Sequence, residues 1–299
     1  MASPHQAEIA EAYRTIQRDI CAEIARVDGK ADFIKDEWMR PEGGGGLSRI
    51  LVNGDALEKA GVNFSAVDGV LTPEMSKNLK VEGGNFFATG VSIVMHPFNP
   101  FVPIIHMNIR YFELDNGTYW FGGGIDLTPH YVDADDAHFF HKTLKATCDR
   151  FDPGYFPRFK NWADDYFYNE HRKETRGIGG IFYDHLSEDA THTKTDLFNF
   201  SLALGQLFPA LYSKLIEKNR SKPFSESEKH WQYLRRGRYV EFNLIYDRGT
   251  RFGLQSNGRV ESILMSLPAE ARWDYNHQPA EESAEAETLS LLRKGIDWI

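Results

Sequence analysis

Apolar and polar positions alternate along the segment HPFNPFVPIIHMNIRYFE, which begins at His96. From Ile104 onward the period is two, which is typical of a β-strand whose successive side chains point to opposite faces. One face is apolar, and the other has an imidazole, an amide and a guanidinium about 7 Å apart. An ordinary half-buried strand has Ser, Thr or Lys on its wet side, so this pattern predicts a binding surface. The polar face contains His106, Asn108, Arg110 and Phe112, and the apolar face contains Ile105, Met107, Ile109 and Tyr111.

Further strands are predicted on both sides of this segment. Residues 92–96 alternate in the same way and end at Pro97, and residues 238–247 also alternate. Residues 250–256 and 259–267 flank Asn257-Gly258, the pair that a type I′ hairpin turn requires. The four consecutive glycines of PEGGGGLSRI predict no regular element there, and a flexible loop and a substrate lid are equally compatible with them.

Helical spacing predicts several helices around these strands. The first follows a cap at Ser3 and Pro4, places an apolar residue on every third or fourth position, and ends at Gly29. Others are predicted at 133–148, 157–173 and 196–218, the last kinked or broken at Pro209, and a short helix follows the capping box of Ser225 and Glu228. The expected fold class is therefore α+β, a large, mostly antiparallel sheet with helices on both faces, in a single domain spanning residues 1–299.

Composition narrows the class of protein. The net charge of −9 argues against general binding to nucleic acid or acidic membranes, although arginines cluster in LRRGRYVEF and beyond, so a local anion site remains compatible with it. No apolar run is long enough to span a membrane. The two cysteines and the absence of a signal-like start predict a reducing, cytoplasmic location.

Familiar catalytic signatures are missing from the sequence. There is no G-x-S-x-G, H-E-x-x-H, Walker loop or C-x-x-C, and FGGGID lacks the spacing of a dinucleotide-binding loop. Arginines, glycines and many aromatic residues remain, and together they suit a flat, polyanionic and fairly apolar ligand. A strand that ends in Gly122, Gly123 and Gly124 would let such a ligand approach closely, with Asp126 directly after it.

These segments resemble the oxygen-dependent coproporphyrinogen III oxidase family of haem biosynthesis. The resemblance extends from about Asp36 to the C-terminus through GVNFSAVDG, HPFNPFVPIIHMNIRYFE, FGGGIDLTP, HRKETRGIGGIFYDHL and RRGRYVEFNLIYDRGTRFGL. It implies the oxidative decarboxylation of the ring A and B propionates of coproporphyrinogen III to vinyl groups, giving protoporphyrinogen IX. Molecular oxygen would be the co-substrate, without an organic cofactor.

The resemblance also implies roles for individual residues. His106 is similar to the family's proposed proton donor, and Asp126 is the candidate to hold a pyrrole N–H in one site with Arg110. Substrate contacts are implied for Ser92, Asn108, Arg110, Asn257, Gly258 and Arg259. A divalent metal is a tentative addition, with His96, His106, His141 and His171 as its ligands, and we expect it to be dispensable because their spacing is not that of a local metal site.

The resemblance also implies a homodimer. Residues 239–273 are expected to form its interface, because their alternation leaves apolar residues on more than one side. A tetrapyrrole carrier without turnover would use the same arginine-rich pocket, but it would not need Asp126 beside the glycines. A purely structural dimerisation protein is disfavoured by the polar strand face.

Overall fold

The structure is a computed structural model that describes residues 3–82, 84–255 and 258–299. Its strands are β1 (Ile34–Met39), β2 (Gly44–Val52), β3 (Leu57–Val70), β4 (Asn85–Pro97), β5 (Ile104–Leu114), β6 (Tyr119–Thr128), β7 (Tyr168–Asn169), β8 (Glu174–Thr175) and β9 (Gly180–Leu186). Its helices are α1 (Gln6–Asp28), α2 (Pro73–Leu79), α3 (Ala134–Asp149), α4 (Tyr155–Tyr166), α5 (Lys194–Asn219), α6 (Glu226–Ile245), α7 (Arg248–Gln255), α8 (Val260–Leu264) and α9 (Ala284–Leu291).

Seven strands form one antiparallel sheet in the order β1-β2-β3-β4-β5-β6-β9. Up to β6 each strand pairs with the next in sequence, and the last position is taken by β9. Helices α1 and α5 pack on one face, where Met107 and Ile109 of β5 join a core that also includes Ile20 and Leu204. Helix α6 packs on the other face, where Tyr239 meets Val94 and Ile104. The α+β class, with helices on both faces of the sheet, is confirmed.

The alternation predicted for residues 92–96 and from Ile104 onward is confirmed by β4 and β5. The Asp133 side chain accepts hydrogen bonds from the first turn of α3, and Gly29 ends α1 in the left-handed conformation. Helix α1 nevertheless begins later than predicted, at Gln6, with a capping box between His5 and Glu8. Helix α5 continues through Pro209 without a break. None of the helices among the described residues combines the length and apolar character needed to cross a bilayer.

The glycine run is not a loop, contrary to the prediction. Gly44, Gly45 and Gly46 begin strand β2 and pair with β3 on one side. A Cβ at Gly46 would lie 2.3 Å from the ring of Trp38, and one at Gly44 would lie 2.3 Å from the carbonyl oxygen of Ala66. The glycines therefore allow neighbouring strands and an indole ring to come close. A run of glycines looks the same in sequence whether it serves this purpose or forms a flexible loop.

The predicted C-terminal strands are also wrong. Residues 238–247 lie mostly within α6, in which Tyr239, Phe242 and Asn243 are buried at the spacing of one helical face. The predicted hairpin is instead the pair of short helices α7 and α8; Asn257 of its expected turn lies outside the described residues. The side chain of Asp247 accepts a hydrogen bond from the Thr250 backbone N–H at 2.7 Å, which stabilises the first turn of α7.

The helix predicted at 157–173 ends early. Helix α4 stops at Tyr166, and residues 168–175 form the small β7–β8 hairpin, whose turn contains His171. Lys173 has a left-handed backbone with φ 58°, which ends any helical continuation. Arg176 directly follows this hairpin and lies on the polar face of the large sheet, where its guanidinium contacts Asp126 of β6.

Candidate functional site

Small polar and glycine residues form a flat floor on the sheet face opposite α1 and α5. Residues paired across neighbouring strands share a face, so the strand register defines this floor. One row crosses β2 to β6 through Ser48, Asn63, Ser92, Asn108 and Gly124. The next row contains Ser65, Gly90, Arg110 and Gly122. Large side chains are missing from both rows apart from Arg110, so a flat molecule can approach the strands.

Arg110 stands at one side of the floor and is held by two neighbours. Its Nη2 lies 3.0 Å from Asp184 Oδ1, and its Nη1 donates to Asn108 Oδ1 at 2.9 Å. Gly122 provides the space, because a Cβ there would lie 2.8 Å from Arg110 Nε. The side chain keeps 35% exposure, so the guanidinium is both fixed and accessible to an anion.

Arg259 stands at the opposite side of the same floor. Its Nη2 donates to Asp36 Oδ2 at 2.5 Å, and its Nη1 lies 3.2 Å from Ser262 Oγ and 3.4 Å from Ser48 Oγ. Ser48 lies on β2 and Arg110 on β5, and three strand spacings separate these strands by about 14 Å. Two anchored guanidinium groups therefore flank the floor, which is an arrangement suited to a ligand with several carboxylates.

His106 and Asp126 are direct partners across β5 and β6. The register pairs them, and His106 Nδ1 lies 2.8 Å from Asp126 Oδ1. The Nδ1–H group of His106 donates to this carboxylate, so the other ring nitrogen, Nε2, is left for a ligand. The His106 side chain is 20% exposed whereas that of Asp126 is 1% exposed, so the imidazole is the member of the pair that meets the floor.

Arg176 is the second partner of the Asp126 carboxylate. Its Nη2 lies 2.7 and 2.8 Å from the two oxygens of Asp126, and its Nε donates to Oδ2 at 3.2 Å. The guanidinium lies over the rings of Phe167, Tyr239 and Phe242, with its carbon 4.4 to 4.9 Å from the ring centres. Its Nη1 donates to Asn243 Oδ1 at 3.1 Å. Sequence reasoning missed Arg176, because its partner Asp126 lies 50 residues away along the chain.

The electrostatics of Asp126 follow from these contacts. Burial raises the pKa of a carboxyl group, but the charge of Arg176 and the hydrogen bond from His106 together hold the pKa of Asp126 below its usual range. Both carboxylate oxygens are occupied by these two partners. The carboxylate is also buried, so it does not open onto the floor, and the imidazole of His106 lies between the two.

The four histidines expected as metal ligands have separate partners. His96 Nε2 bonds to the carbonyl oxygen of Ser266 at 2.8 Å, and His141 Nε2 to that of Ile178 at 3.0 Å. His171 is engaged through both nitrogens, with the Tyr246 hydroxyl at 2.8 Å and Glu241 Oε2 at 2.7 Å. Burial lowers the pKa of His141 to about 4 and that of His96 well below its usual range.

These contacts do not fit a shared cation. His106 is engaged with Asp126 on the sheet, whereas His171 lies in the β7–β8 turn. Across residues 3–82, 84–255 and 258–299, no group of three or more His, Cys, Asp or Glu side chains is arranged to hold a metal ion. We therefore derive no step of the reaction from a metal at these positions.

Of the expected substrate-contacting residues, the structure brings Ser92, Asn108, Arg110 and Arg259 to one floor. The Gly258 backbone N–H donates to the carbonyl oxygen of Gly253 at 2.8 Å, which closes the connection between α7 and α8 next to Arg259. Asn257 lies outside the described residues. A flat floor, two anchored guanidinium groups and an imidazole backed by a buried ion pair can bind a planar polyanion and move a proton.

Comparison with known proteins agrees with this chemistry. The family model described as coproporphyrinogen III oxidase matches residues 8–298. The oxygen-dependent coproporphyrinogen-III oxidase of Drosophila melanogaster is 47% identical over 298 residues, covering 95% of this chain and 76% of that protein. Coproporphyrinogen-III oxidase 1, chloroplastic, of Arabidopsis thaliana is 46% identical over 96% of this chain and 77% of its own length. The mitochondrial oxygen-dependent coproporphyrinogen-III oxidase of Homo sapiens is 50% identical over 95% of this chain and 65% of its own length. The chain therefore belongs to the coproporphyrinogen III oxidase family.

Proposed function

We propose that the polar floor on the sheet, with His106 and the two flanking arginines, is the active site of this family member. Family membership makes the chain an oxidoreductase of porphyrin and haem biosynthesis. Its reaction is the oxygen-dependent oxidative decarboxylation of the ring A and B propionates of coproporphyrinogen III to vinyl groups, which gives protoporphyrinogen IX. The single observation that supports this site is that His106, backed by buried Asp126 and Arg176, opens onto a flat floor between Arg110 and Arg259.

The balance of the reaction defines what the site must supply. Each propionate loses carbon dioxide, one proton and two electrons as it becomes a vinyl group, and oxygen accepts the electrons. The protein must therefore bind carboxylates, orient the reacting side chain and accept the proton. An electron-rich pyrrole supplies the electrons, so the residues of the floor need only position the substrate and transfer protons.

In this proposal His106 transfers the proton. Asp126 accepts a hydrogen bond from the Nδ1–H group of His106, so Nε2 is the ring nitrogen that faces the floor. Asp126 also stabilises the imidazolium that forms when Nε2 gains a proton. Arg176 keeps Asp126 ionised for this purpose. The expectation that Asp126 itself holds a pyrrole N–H is replaced here by a role through His106, since the carboxylate is buried and fully engaged.

Substrate binding is assigned to the two ends and the middle of the floor. Arg110 and Arg259 bind propionate carboxylates, with charge-assisted bonds worth roughly 1.5 to 3 kcal/mol each. Ser92 and Asn108 contact the substrate between the two arginines, and Gly258 next to Arg259 gives close access to the backbone. Asn257 remains a proposed contact on the resemblance alone.

A carrier that binds the tetrapyrrole without turnover is the competing function. The test is incubation of the purified protein with coproporphyrinogen III, first without oxygen and then with it. The oxidase binds the substrate anaerobically and releases carbon dioxide and divinyl product only after oxygen is admitted. Binding that persists in oxygen without product would establish the carrier.

A homodimer is also proposed, with an interface in residues 239–273. The original reason, alternating strand faces, no longer applies because this segment is largely helical. Support comes instead from apolar side chains that the segment exposes, including Leu244, Ile245 and Trp273. An active protein that sediments as a 34.2 kDa monomer at micromolar concentration would refute the dimer.

Location and domain organisation also stay proposals. The free cysteines Cys21 and Cys148 are both buried, which suits a reducing compartment such as the cytoplasm. Among the relatives, the Arabidopsis thaliana protein is named as chloroplastic and the Homo sapiens protein as mitochondrial. Cell fractionation tests the location.

A single domain spanning residues 1–299 predicts one cooperative unfolding transition in calorimetry.

A further inference from the structure

Asn63 lies in the row of floor residues between Ser48 and Ser92, and the proposed function gives it no role. It lies on β3, where the register pairs it with Ser48 of β2 and with Ser92 of β4. Its side chain is half-buried and shares the sheet face of Ser92 and Asn108. Asn63 and Asn108 are therefore two strand spacings apart, about 10 Å, on either side of Ser92.

Hydrogen bonds fix the orientation of the Asn63 amide. Ser48 Oγ donates to Asn63 Oδ1 at 2.9 Å, while Ser48 Oγ itself lies 3.4 Å from the donor Arg259 Nη1. The carbonyl side of the amide is thus occupied, and the Nδ2 group is directed away from Ser48. Among the described residues, Asn63 Nδ2 has no hydrogen-bond acceptor.

Asn108 shows the same arrangement on the other side of Ser92. Its Oδ1 accepts from Arg110 Nη1 at 2.9 Å, and its Nδ2 has no acceptor in the described part of the chain. The oxygen of Asn108 is thus bound by a floor arginine directly, and that of Asn63 is bound by Ser48, which contacts the other floor arginine. Each amide therefore has free N–H donors at Nδ2, whereas its oxygen already accepts one hydrogen bond from the protein.

Such a pair of donors selects the chemistry of its ligand. A pyrrole N–H needs an acceptor, and each amide oxygen already accepts one hydrogen bond from Ser48 or Arg110. A carboxylate, in contrast, has acceptor oxygens only, and it gains from donors that lie close to a guanidinium. The amide of Asn63 is thus complementary to a propionate that also approaches Arg259, as that of Asn108 is to one that approaches Arg110.

We propose that Asn63 is a further substrate-binding residue, which donates from Nδ2 to a propionate carboxylate, and that Ser48 is the residue that orients it. This inference rests on the proposed function, because it takes the floor as the site of the tetracarboxylate substrate. Asn63 and Arg259 would then bind one carboxylate at the β2–β3 side of the floor, as Asn108 and Arg110 bind another at the β5 side.

The test replaces the donor by an isosteric acceptor. Asn63→Asp keeps the size of the side chain but presents a negative oxygen to the carboxylate, so the KM for coproporphyrinogen III should rise by about 10- to 100-fold. The kcat should stay within about threefold, because the contact is made equally in the bound ground state and the transition state. Ser48→Ala should raise KM by a smaller factor, and Asn116→Asp in an exposed turn is the matched control.

A binding measurement gives a second readout that does not depend on turnover. Coproporphyrin III, the oxidised tetracarboxylate, and its tetramethyl ester are titrated against each variant by fluorescence. Asn63→Asp should weaken binding of the free acid and leave binding of the ester at the wild-type level. A thermal unfolding midpoint equal to that of the wild type would show that the fold is intact.

Several outcomes would overturn the inference. A wild-type KM in Asn63→Asp, a KM changed for oxygen alone, or equal weakening of acid and ester would each remove the carboxylate contact. Failure of the wild-type chain to bind or convert the porphyrinogen would instead overturn the proposed function itself.

Discussion

Arg176 and Asp126 form a buried ion pair in which one guanidinium nitrogen lies 2.7 and 2.8 Å from the two carboxylate oxygens. Asp126 in turn lies 2.8 Å from the Nδ1 atom of His106. The three residues come from β5, β6 and the segment after β8, so the tertiary fold alone assembles them. Exposure increases from buried Arg176 to accessible His106. In the proposed mechanism Arg176 keeps Asp126 ionised, Asp126 orients His106, and His106 meets the substrate.

Arg176→Lys tests the first step of this chain. Lysine keeps the charge but cannot form the bidentate contact, so Asp126 is held less firmly and its pKa rises from its present low value. The low-pH limb of the pH–rate profile should therefore move to higher pH, because Asp126 loses its charge at a higher pH than in the wild type. Arg158→Lys, at a guanidinium that packs on Tyr155 and Phe159 of α4, is the control and should keep the wild-type profile. An unchanged low-pH limb in Arg176→Lys would remove Arg176 from the mechanism.

His106→Gln tests the proton transfer itself. Glutamine retains a hydrogen-bonding group near Asp126 but cannot change protonation state, so kcat should fall by about 10²- to 10⁴-fold. The unfolding midpoint should change little, because the side chain packs only partly into the core. His138→Gln, at an exposed position of α3, provides the matched control for turnover. Near wild-type kcat in His106→Gln would show that another group moves the proton.

Gly122→Ala tests whether the glycine strip positions Arg110. The new Cβ would lie 2.6 Å from Asp184 Oδ1 and 2.8 Å from Arg110 Nε, so one of them must move. Displacement of the guanidinium should raise the KM for the porphyrinogen about tenfold or more, with a smaller change in kcat. At Gly154 the nearest atom to an added Cβ is an Asp152 carboxylate oxygen at 3.1 Å, so Gly154→Ala should leave KM unchanged. Equal KM values in both variants would mean that Gly122 has no such task.

We predict that turnover survives removal of divalent metal. The reaction needs a base, an electron-rich pyrrole and oxygen, and the four candidate histidines each have a separate hydrogen-bond partner among the described residues. The measurement is kcat after exhaustive chelation, with residual metal quantified by elemental analysis. Activity that disappears on chelation and returns with one equivalent of a cation would show that the prediction is wrong.

The sequence predicted the sheet best where a single face is apolar. In β5 the alternation of Met107 and Ile109 with Asn108 and Arg110 fixes the register, because a slip of one residue would bury the guanidinium. The polar face with Asn108 and Arg110 was predicted for this reason, whereas Ser92 of β4 was assigned to the site by the family resemblance. Their partner Asn63 lies in a segment that was noted as a family motif, but a lone amide on a strand gives no local signal of its orientation.

Predictions failed where local pattern and tertiary context disagree. The segment YVEFNLI alternates like a strand, yet Tyr239, Phe242 and Asn243 also have the i, i+3, i+4 spacing by which α6 buries them. Helix α6 starts at the Ser225 capping box and continues through this segment because its buried face packs on the sheet. Arg176 could not be identified from its neighbours, since its role depends on Asp126, which only the fold brings near.

A crystal structure of the protein with coproporphyrin III bound tests the proposed active site most directly. We expect the macrocycle to lie flat over Ser92, Asn108 and Gly124, with carboxylates at Arg110 and Arg259. We also expect His106 Nε2 near the propionate carbon that adjoins the ring, close enough to transfer its proton directly or through one water. A porphyrin bound elsewhere on the chain, or bound here with His106 turned away from every propionate, would contradict the proposed site.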